Sequence, residues 1–529
     1  MGRGPATSTN AWHGAAAFGR RALLALVVAA CGTGGRSPST VVVASGADLE
    51  SANPLTTVHP LARQVQRYAL FVTLARYDSL LAPEPYFARS WTWSADHRTL
   101  TLALARDLRW HDGTPTTATD VAFTIDAARD PATGFFRRGD LAEISGVAVH
   151  NDTSVSVTFA GPQARFPLVL CELPIAPAHR LSMVPRAQLR ADAFARDPIG
   201  NGPYRFVERR ARQFWTFVAD TGFPASMGGP PKVRRFVVAV VDEPTTKFAG
   251  LVSGDLDLAG ISPTMAEITA ADPRLAIVSY PVSFTNVIVF NSTRAPFDDV
   301  RVRRAVSAAI NRKRVIDVAL NGFGVAADGA IPPTHPYYGA VLPPENAAAL
   351  LDSAGWTKGG AWRTRNGTPL RFTLRTVGNG DNAIEQLVQA DLRALGIQVE
   401  IAQMELGAFL AMARAPEKDF DAIITGVPGD VSMSHVAAMF EGTQAGGALD
   451  YAGFHRPTLD TLFARARAAG TEAQLAFAWQ AVDQLLAREA PVVWLYHARG
   501  LQGISRRLGG VRMDLRGELV TLARWTLDR

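Results

Sequence analysis

Residues 98–128, RTLTLALARDLRWHDGTPTTATDVAFTIDAA, limit the fold more tightly than any other stretch of the chain. Leu100, Leu102 and Leu104 alternate with Thr99, Thr101 and Ala103, the period of two that buries one face of a strand. Asp112-Gly113 and Pro115 then form a turn, glycine supplying a positive φ cheaply and proline fixing its own. Thr117-Ala118-Thr119-Asp120 reads as a capping box, and Val121, Phe123, Ile125 and Ala128 follow as a helix needs. Strand, tight turn and capped helix make one compact unit without a catalytic signature. His111 beside Asp112 reads either as an acid–base or metal pair or as turn residues satisfied by backbone groups. Turn chemistry favours the second reading.

The same stretch carries a resemblance. Leu108-Arg109-Trp110-His111-Asp112-Gly113-Thr114-Pro115, with Ala118-Thr119-Asp120-Val121 and Phe123-Thr124-Ile125, resembles the signature of the family 5 extracellular solute-binding proteins. These are the peptide, dipeptide and nickel receptors of bacterial ABC importers. A second run, Pro296-Phe297-Asp298-Asp299-Val300-Arg301-Val302-Arg303-Arg304-Ala305, is similar to the family's other specific motif. Leu173-Pro174-Ile175-Ala176-Pro177-Ala178-His179 and Gly200-Asn201-Gly202-Pro203-Tyr204 resemble further landmarks, Asn201 standing where the family usually has Thr. Asn tolerates left-handed backbone, so that turn is expected to survive. His179 and Tyr204 read as structural residues. The resemblance runs over residues 53–496.

At 529 residues the chain exceeds one core and should divide into two or three domains. Hydrophobic residues make up 47% and charged residues 19%, a globular balance. The net charge of +6 comes from scattered arginines with no run of five like charges, so nothing favours a nucleic-acid partner. Arg20-Arg21, an apolar run and small residues lead to Cys31, the pattern of an export signal. Val28-Ala29-Ala30-Cys31 resembles a bacterial lipobox, which implies that Cys31 is lipidated and becomes the mature N-terminus. Ordinary secretion and a twin-arginine route both remain open. Cys171 would then stand alone, with no intramolecular disulfide.

Along the chain, residues 41–44 form a first strand and residues 62–75 a helix. Residues 146–159 read as a hairpin around Asn151-Asp152, and 205–219 as another. Phe236 to Val241 is a continuous apolar run, expected to be buried on both faces. Beyond a change of domain near residues 278–285, a strand leads to a helix capped at Asp298 or Asp299. Arg301, Arg303, Arg304, Arg312 and Lys313 suit either an anion site or, the favoured reading, a solvated face. A strand at 370–375, a helix at 381–395 and a strand from Ile397 predict a right-handed crossover in a parallel sheet. The amphipathic helix 472–488 precedes a buried strand at 491–496.

The expected fold is α/β: a two-lobed periplasmic-binding-protein fold of type II, mixed sheets with helices and an extra N-terminal subdomain. Residues 1–31 are the lipoprotein signal peptide, 32–60 the start of lobe I and 61–195 its additional subdomain. Residues 196–283 continue lobe I, 284–492 form lobe II and 493–529 return to lobe I.

No Gly-x-Ser-x-Gly elbow, His-Glu-x-x-His helix, Walker loop or Cys-x-x-Cys pair occurs, and the ten His lack ligand spacing. No enzyme, protein-built metal site or cofactor is expected. The resemblance implies a receptor whose lobes close on a short peptide, holding its main chain by hydrogen bonds and its amine by a carboxylate. An unpaired buried charge would be very costly. Asp430, at the end of Thr425-Gly426-Val427-Pro428-Gly429-Asp430, is the candidate carboxylate, and a plain turn residue is the equal alternative. Val427 or Pro428 stands where the family often has Trp, which leaves room for a non-peptide solute such as a nickel chelate or a sugar. His435 and Arg375 complete the candidate ligand-binding set. The expected partners are the solute, a membrane ABC permease and a lipid anchor. The protein is expected to be an exported monomer that moves by lobe closure without chemistry. An exported hydrolase and a transporter-independent sensor are the rival readings.

Overall fold

The computed structural model describes residues 39–57, 59–339, 344–378, 382–429, 433–447 and 449–528. Cys31 and the leader lie outside the described residues. β1 (Thr40–Ser45) starts the described chain with Val41 and Val43 fully buried. A short helix α1 (Pro60–Val65) follows and widens into a π-turn over Gln66–Leu70.

The helix expected over residues 62–75 thus stops at Leu70, and the reason is tertiary. Gly200 and Gly202 press on this turn so closely that an added Cβ would lie 2.0 Å from Leu70 O and 2.5 Å from Ala69 O. Asn201 Oδ1 takes the Val72 N–H at 3.0 Å, so the helical ladder is not continued. Tyr204 is fully buried beside Phe236.

The strand–turn–helix unit forms as its pattern requires. β2 (Ala88–Trp93), β3 (Thr99–Leu104), α2 (Ala118–Arg129), β4 (Ile144–Asn151) and β5 (Ser154–Phe159) make up a subdomain. Its four strands run in the order β2-β3-β5-β4, each pair antiparallel. Both halves of the Thr117–Asp120 capping box are present. Asp120 also accepts from Trp110 Nε1 at 3.2 Å and Ala178 N at 2.8 Å, so the cap ties turn, helix and the following segment together. His111 Nε2 meets Gly202 O at 2.9 Å, and burial pushes its pKa down to about 4. Asp112 is held by His179 Nε2 at 2.9 Å. These contacts make the pair a piece of architecture.

The principal sheet is built from ten strands named in chain order: β6 (Tyr204–Arg210), β7 (Phe214–Ala219), β8 (Arg235–Val240), β9 (Leu258–Gly260), β10 (Leu275–Phe290), β12 (Arg371–Val377), β13 (Gln398–Met404), β14 (Ala422–Pro428), β15 (Val492–Ser505) and β1. They lie in the order β13-β12-β14-β10-β15-β9-β1-β8-β7-β6, with β11 (Gly324–Ala326) added beside β15. β8 is less enclosed than its apolar run implies: Phe236 and Val238 are fully buried, while Val237 and Ala239 are half-buried. β12 and β13 are parallel and joined by α4 (Ala383–Ala394), the crossover that the spacing predicts.

β10 and β15 are the longest of the described strands in this sheet, and they pair antiparallel along nearly all their length. Their register slips between Pro281 and Thr285 and again between Asn286 and Val287. The buried cores divide at the same place. Two clusters draw their buried members from residues 41–275 and 501–525, and two from residues 287–496.

α3 (Val300–Ala309) is N-capped by Asp299, whose Oδ1 accepts from Arg301 N at 2.8 Å. Of the basic residues here, Arg301 and Lys313 are exposed as the solvated face requires, while Arg303 and Arg312 are drawn inward. Arg303 is 1% exposed, donating to Phe297 O and Glu489 O at 2.8 Å each. Arg312 donates to Trp494 O at 2.7 Å and Ala327 O at 2.9 Å. Carbonyls from distant parts of the chain satisfy these guanidiniums, which their own helices cannot reveal.

Candidate functional site

Open α/β sheets take ligands outside the carboxyl ends of their parallel strands. In the second half of the sheet those ends are Val377, Met404 and Pro428, of β12, β13 and β14. In the first half they are Ser45, Val240 and Gly260, of β1, β8 and β9. Pro428 pairs with Phe284 on β10, and Gly260 pairs with Gln502 on β15. Both edges therefore approach the register break from opposite sides, which makes the break the floor of a cleft.

Of the sequence candidates, His435 and Arg375 belong to the second half of the molecule. Asp430 lies outside the described residues, between Gly429 and Met433. His435 is in the first turn of α5 (Ser434–Phe440). Its ring packs so near Gly429 that a Cβ there would be 3.0 Å from His435 Cε1 and 2.6 Å from Ser283 Oγ. Gly429 N donates to Ser283 O at 2.7 Å, fixing the loop against the break. Arg375 lies on β12. It pairs with Ile423, six residues before Gly429 on β14, or roughly 20 Å at strand rise. Its guanidinium lies 4.0 Å from Met404 Sδ, and its Nε is buried without a hydrogen bond.

His497 was not among the sequence candidates. It is 3% exposed and pairs with Thr285 across the break, its Nδ1 2.9 Å from Thr285 Oγ1. Among the described residues its Nε2 has no partner, nor does the Nε1 of buried Trp494. Burial, and then the nearby His435, push the His497 pKa down to about 4, so the imidazole is neutral at pH 7. Such a floor offers hydrogen bonds to a polar solute. The strand signal at 491–496 stops one residue short of it, and extending that buried run by one residue reaches His497.

A charged contact joins the additional subdomain to the second half of the molecule. Arg165 Nη1, from the additional subdomain, donates to Tyr337 Oη at 2.5 Å, and Tyr337 Oη donates to Glu472 Oε1 at 2.6 Å. Glu472 opens the long helix α6 (Glu472–Glu489).

Two surface cavities lie elsewhere. One of about 10 Å³, bordered by Arg63, Arg137 and Glu172, has room for about one water. A broader depression of about 380 Å³ is lined wholly by residues 179–197 of the subdomain, away from the break. Among the described residues no group of three or more His, Cys, Asp or Glu is placed to hold a metal ion.

Known proteins share this architecture. The structure of the oligopeptide-binding protein AppA from Bacillus subtilis in complex with a nonapeptide matches with a TM-score of 0.78 at 24% identity, covering 93% of this chain and 99% of that one. The ABC transporter substrate binding protein CtaP from Listeria monocytogenes matches with a TM-score of 0.81 at 18% identity, over 93% and 99% of the two chains. The fold is that of the two-lobed periplasmic binding proteins. In sequence, the nickel-binding periplasmic protein of Escherichia coli (strain K12) is 28% identical over 419 residues, 75% of this chain and 77% of that one. Residues 82–446 match the middle region of the bacterial extracellular solute-binding proteins, family 5. The chain belongs to that family.

Proposed function

We propose that the protein is the solute receptor of an ABC importer, capturing a short peptide in the cleft and presenting it to a membrane permease. The observation that carries this reading is the floor of the cleft, where His497 Nε2 and Trp494 Nε1 are buried and unpartnered at the meeting of two sheet edges. Buried polar groups are normally satisfied, so a polar solute seated there supplies what the chain leaves open. The relatives that bind peptides and serve ABC transporters support the same reading. The mechanism is closure of two lobes, a population shift in which the solute favours the closed form and the permease reads it. No chemical step is part of it.

The same proposal includes the lobe limits 284–492 and 493–529, acylation of Cys31 as the anchor to the outer face of a membrane, and a monomeric working form. Asp430, His435 and Arg375 are proposed as ligand residues of the second lobe. The second reading is a nickel chelate. Val427-Pro428 in place of the family's usual Trp, and the nickel-binding relative, both favour it.

Native mass spectrometry of the chain from residue 32 onward decides between them. Bound mass that resolves on denaturation into a series of short peptides supports the first reading. A single metal-containing mass moves the assignment to the second. Asp430→Ala is expected to lose the bound peptide, and retention of it removes Asp430 from the site.

A further inference from the structure

Glu518 lies in the C-terminal segment that returns across the first lobe, and part of its surface stays open. Its Oε2 accepts from Gln502 Nε2 at 2.5 Å and from the Tyr280 hydroxyl at 3.3 Å. Its Oε1 accepts from none of the described residues, and no Arg, Lys or His pairs with the carboxylate. The amide beside it is only half used. Gln502 is 8% exposed, and its Oε1 is buried without a partner. Gln502 Nε2 thus ties the two side chains together, while Gln502 Oε1 and Glu518 Oε1 each lack a donor among the described residues.

The place matters as much as the company. Tyr280 immediately precedes Pro281, where the register of β10 against β15 breaks. Gln502 pairs with Gly260, the last residue of β9 and one of the carboxyl ends of the first lobe. Glu518 therefore sits on the first-lobe wall, opposite the edge that carries His435. Neighbouring arginines are occupied. Arg516 holds Asp514 through Nε and Nη2 at 2.9 and 2.7 Å, and Arg499 holds Ser279 at 2.7 and 3.1 Å.

We propose that Glu518 and Gln502 form a cation subsite in the first-lobe wall of the cleft and receive a primary ammonium group of the bound solute. An ammonium carries three donors and no acceptor, which matches Glu518 Oε1 together with the orphaned Gln502 Oε1. It also supplies the charge that the neutral donors Tyr280 and Gln502 cannot. Without it, burial pushes the Glu518 pKa up to about 7. The subsite is distinct from the carboxylate proposed at Asp430, and the inference rests on the peptide reading above.

The test uses the full chain, wild type and Glu518→Gln, with a library of lysine-free di- to hexapeptides and the same library N-acetylated. Glu518→Gln keeps the side-chain shape and removes a buried charge, and thermal unfolding checks that it folds. Calorimetry is expected to show at least tenfold weaker binding of the free library to Glu518→Gln. The wild-type advantage should shrink by roughly tenfold per pH unit below 7, as Glu518 must ionise to bind. Acetylated peptides should bind wild type and variant alike. If lysine-containing acetylated peptides, added as a third set, also bind Glu518→Gln more weakly than wild type, the subsite accepts a side-chain ammonium as well. Equal binding of the free library to both proteins overturns the assignment and leaves the peptide reading intact. If wild type binds neither library, the peptide reading falls and the subsite with it.

Discussion

Glu172 and Glu518 are both drawn out of water in the first half of the molecule, and they keep different company. Glu172 is 6% exposed at its side chain and lies within 3.4 Å of Arg63 and Arg67 and 2.8 Å of Arg137. The Tyr77 hydroxyl adds a hydrogen bond at 3.0 Å. Glu518 meets only a phenol and an amide. The first arrangement is closed on itself and holds α1 to the subdomain. The second leaves the carboxylate short of a cation beside the register break. Where a buried charge is already paired it is part of the frame, and where it is not, an outside cation has a place to bind.

The largest effect expected from this contrast belongs to the paired carboxylate. Removing one partner of a buried ionic cluster costs about 3–5 kcal/mol because the remaining charges are stranded. Glu172→Gln should lower the unfolding free energy by that amount in urea titrations without changing the library bound. A loss under about 1 kcal/mol would mean that the arginines are solvated and the contrast is empty.

Next come two groups that burial neutralises from opposite directions. The native pKa of Glu518 is raised above the ordinary 4.5, so its stabilising contribution is full below about 4.5 and lost as pH rises through about 7. Each pKa unit is worth 1.36 kcal/mol. With its surface partly open, the loss across that window is about 2 kcal/mol. His497 runs the other way. Its native pKa of about 4 lies below the ordinary 6.5, so its contribution is full above about 6.5 and lost as pH falls toward 4. About 2–3 kcal/mol is at stake there. Stability measured from pH 4 to 8 for Glu518→Gln and His497→Gln, each subtracted from wild type, should give slopes of opposite sign. Parallel slopes would show that one of the two is not held neutral.

What the sequence could tell follows from how far apart the interacting residues lie. The unit at residues 98–128 was readable because Thr117 and Asp120 cap the helix between themselves, within three residues. The Asp299 cap and the β12–α4–β13 crossover were readable for the same local reason. The end of the helix at Leu70 was not, since Gly200, Asn201 and Gly202 impose it from afar. Nor was the burial of Arg303, whose carbonyl partner Glu489 is 186 residues away. Among the site candidates, His435 is near in sequence to the strand and loop that lead to Asp430, so it could be proposed from local pattern. Glu518 could not, because Tyr280 is 238 residues from it and nothing near residue 518 announces a cleft.

The smallest effect is expected at the rim, where the Glu172 chemistry recurs in solvent. Arg165 and Glu472 approach to 3.6 Å, but their side chains are 30% and 61% exposed. Water screens such a pair, so it contributes at most about 1 kcal/mol. Its value lies in its position, since it joins the subdomain to α6. Tyr337 Oη accepts from Arg165 and donates to Glu472, so the three act as one unit. Arg165→Ala and Tyr337→Phe should each weaken solute binding by about fivefold or less, through a larger open population seen as an increased radius of gyration in small-angle scattering. Because the hydroxyl is the shared link, the double variant should cost little more than either single one. Additive losses would mean that Arg165 and Tyr337 serve separate ends, and the latch would then be no more than two neighbouring surface contacts.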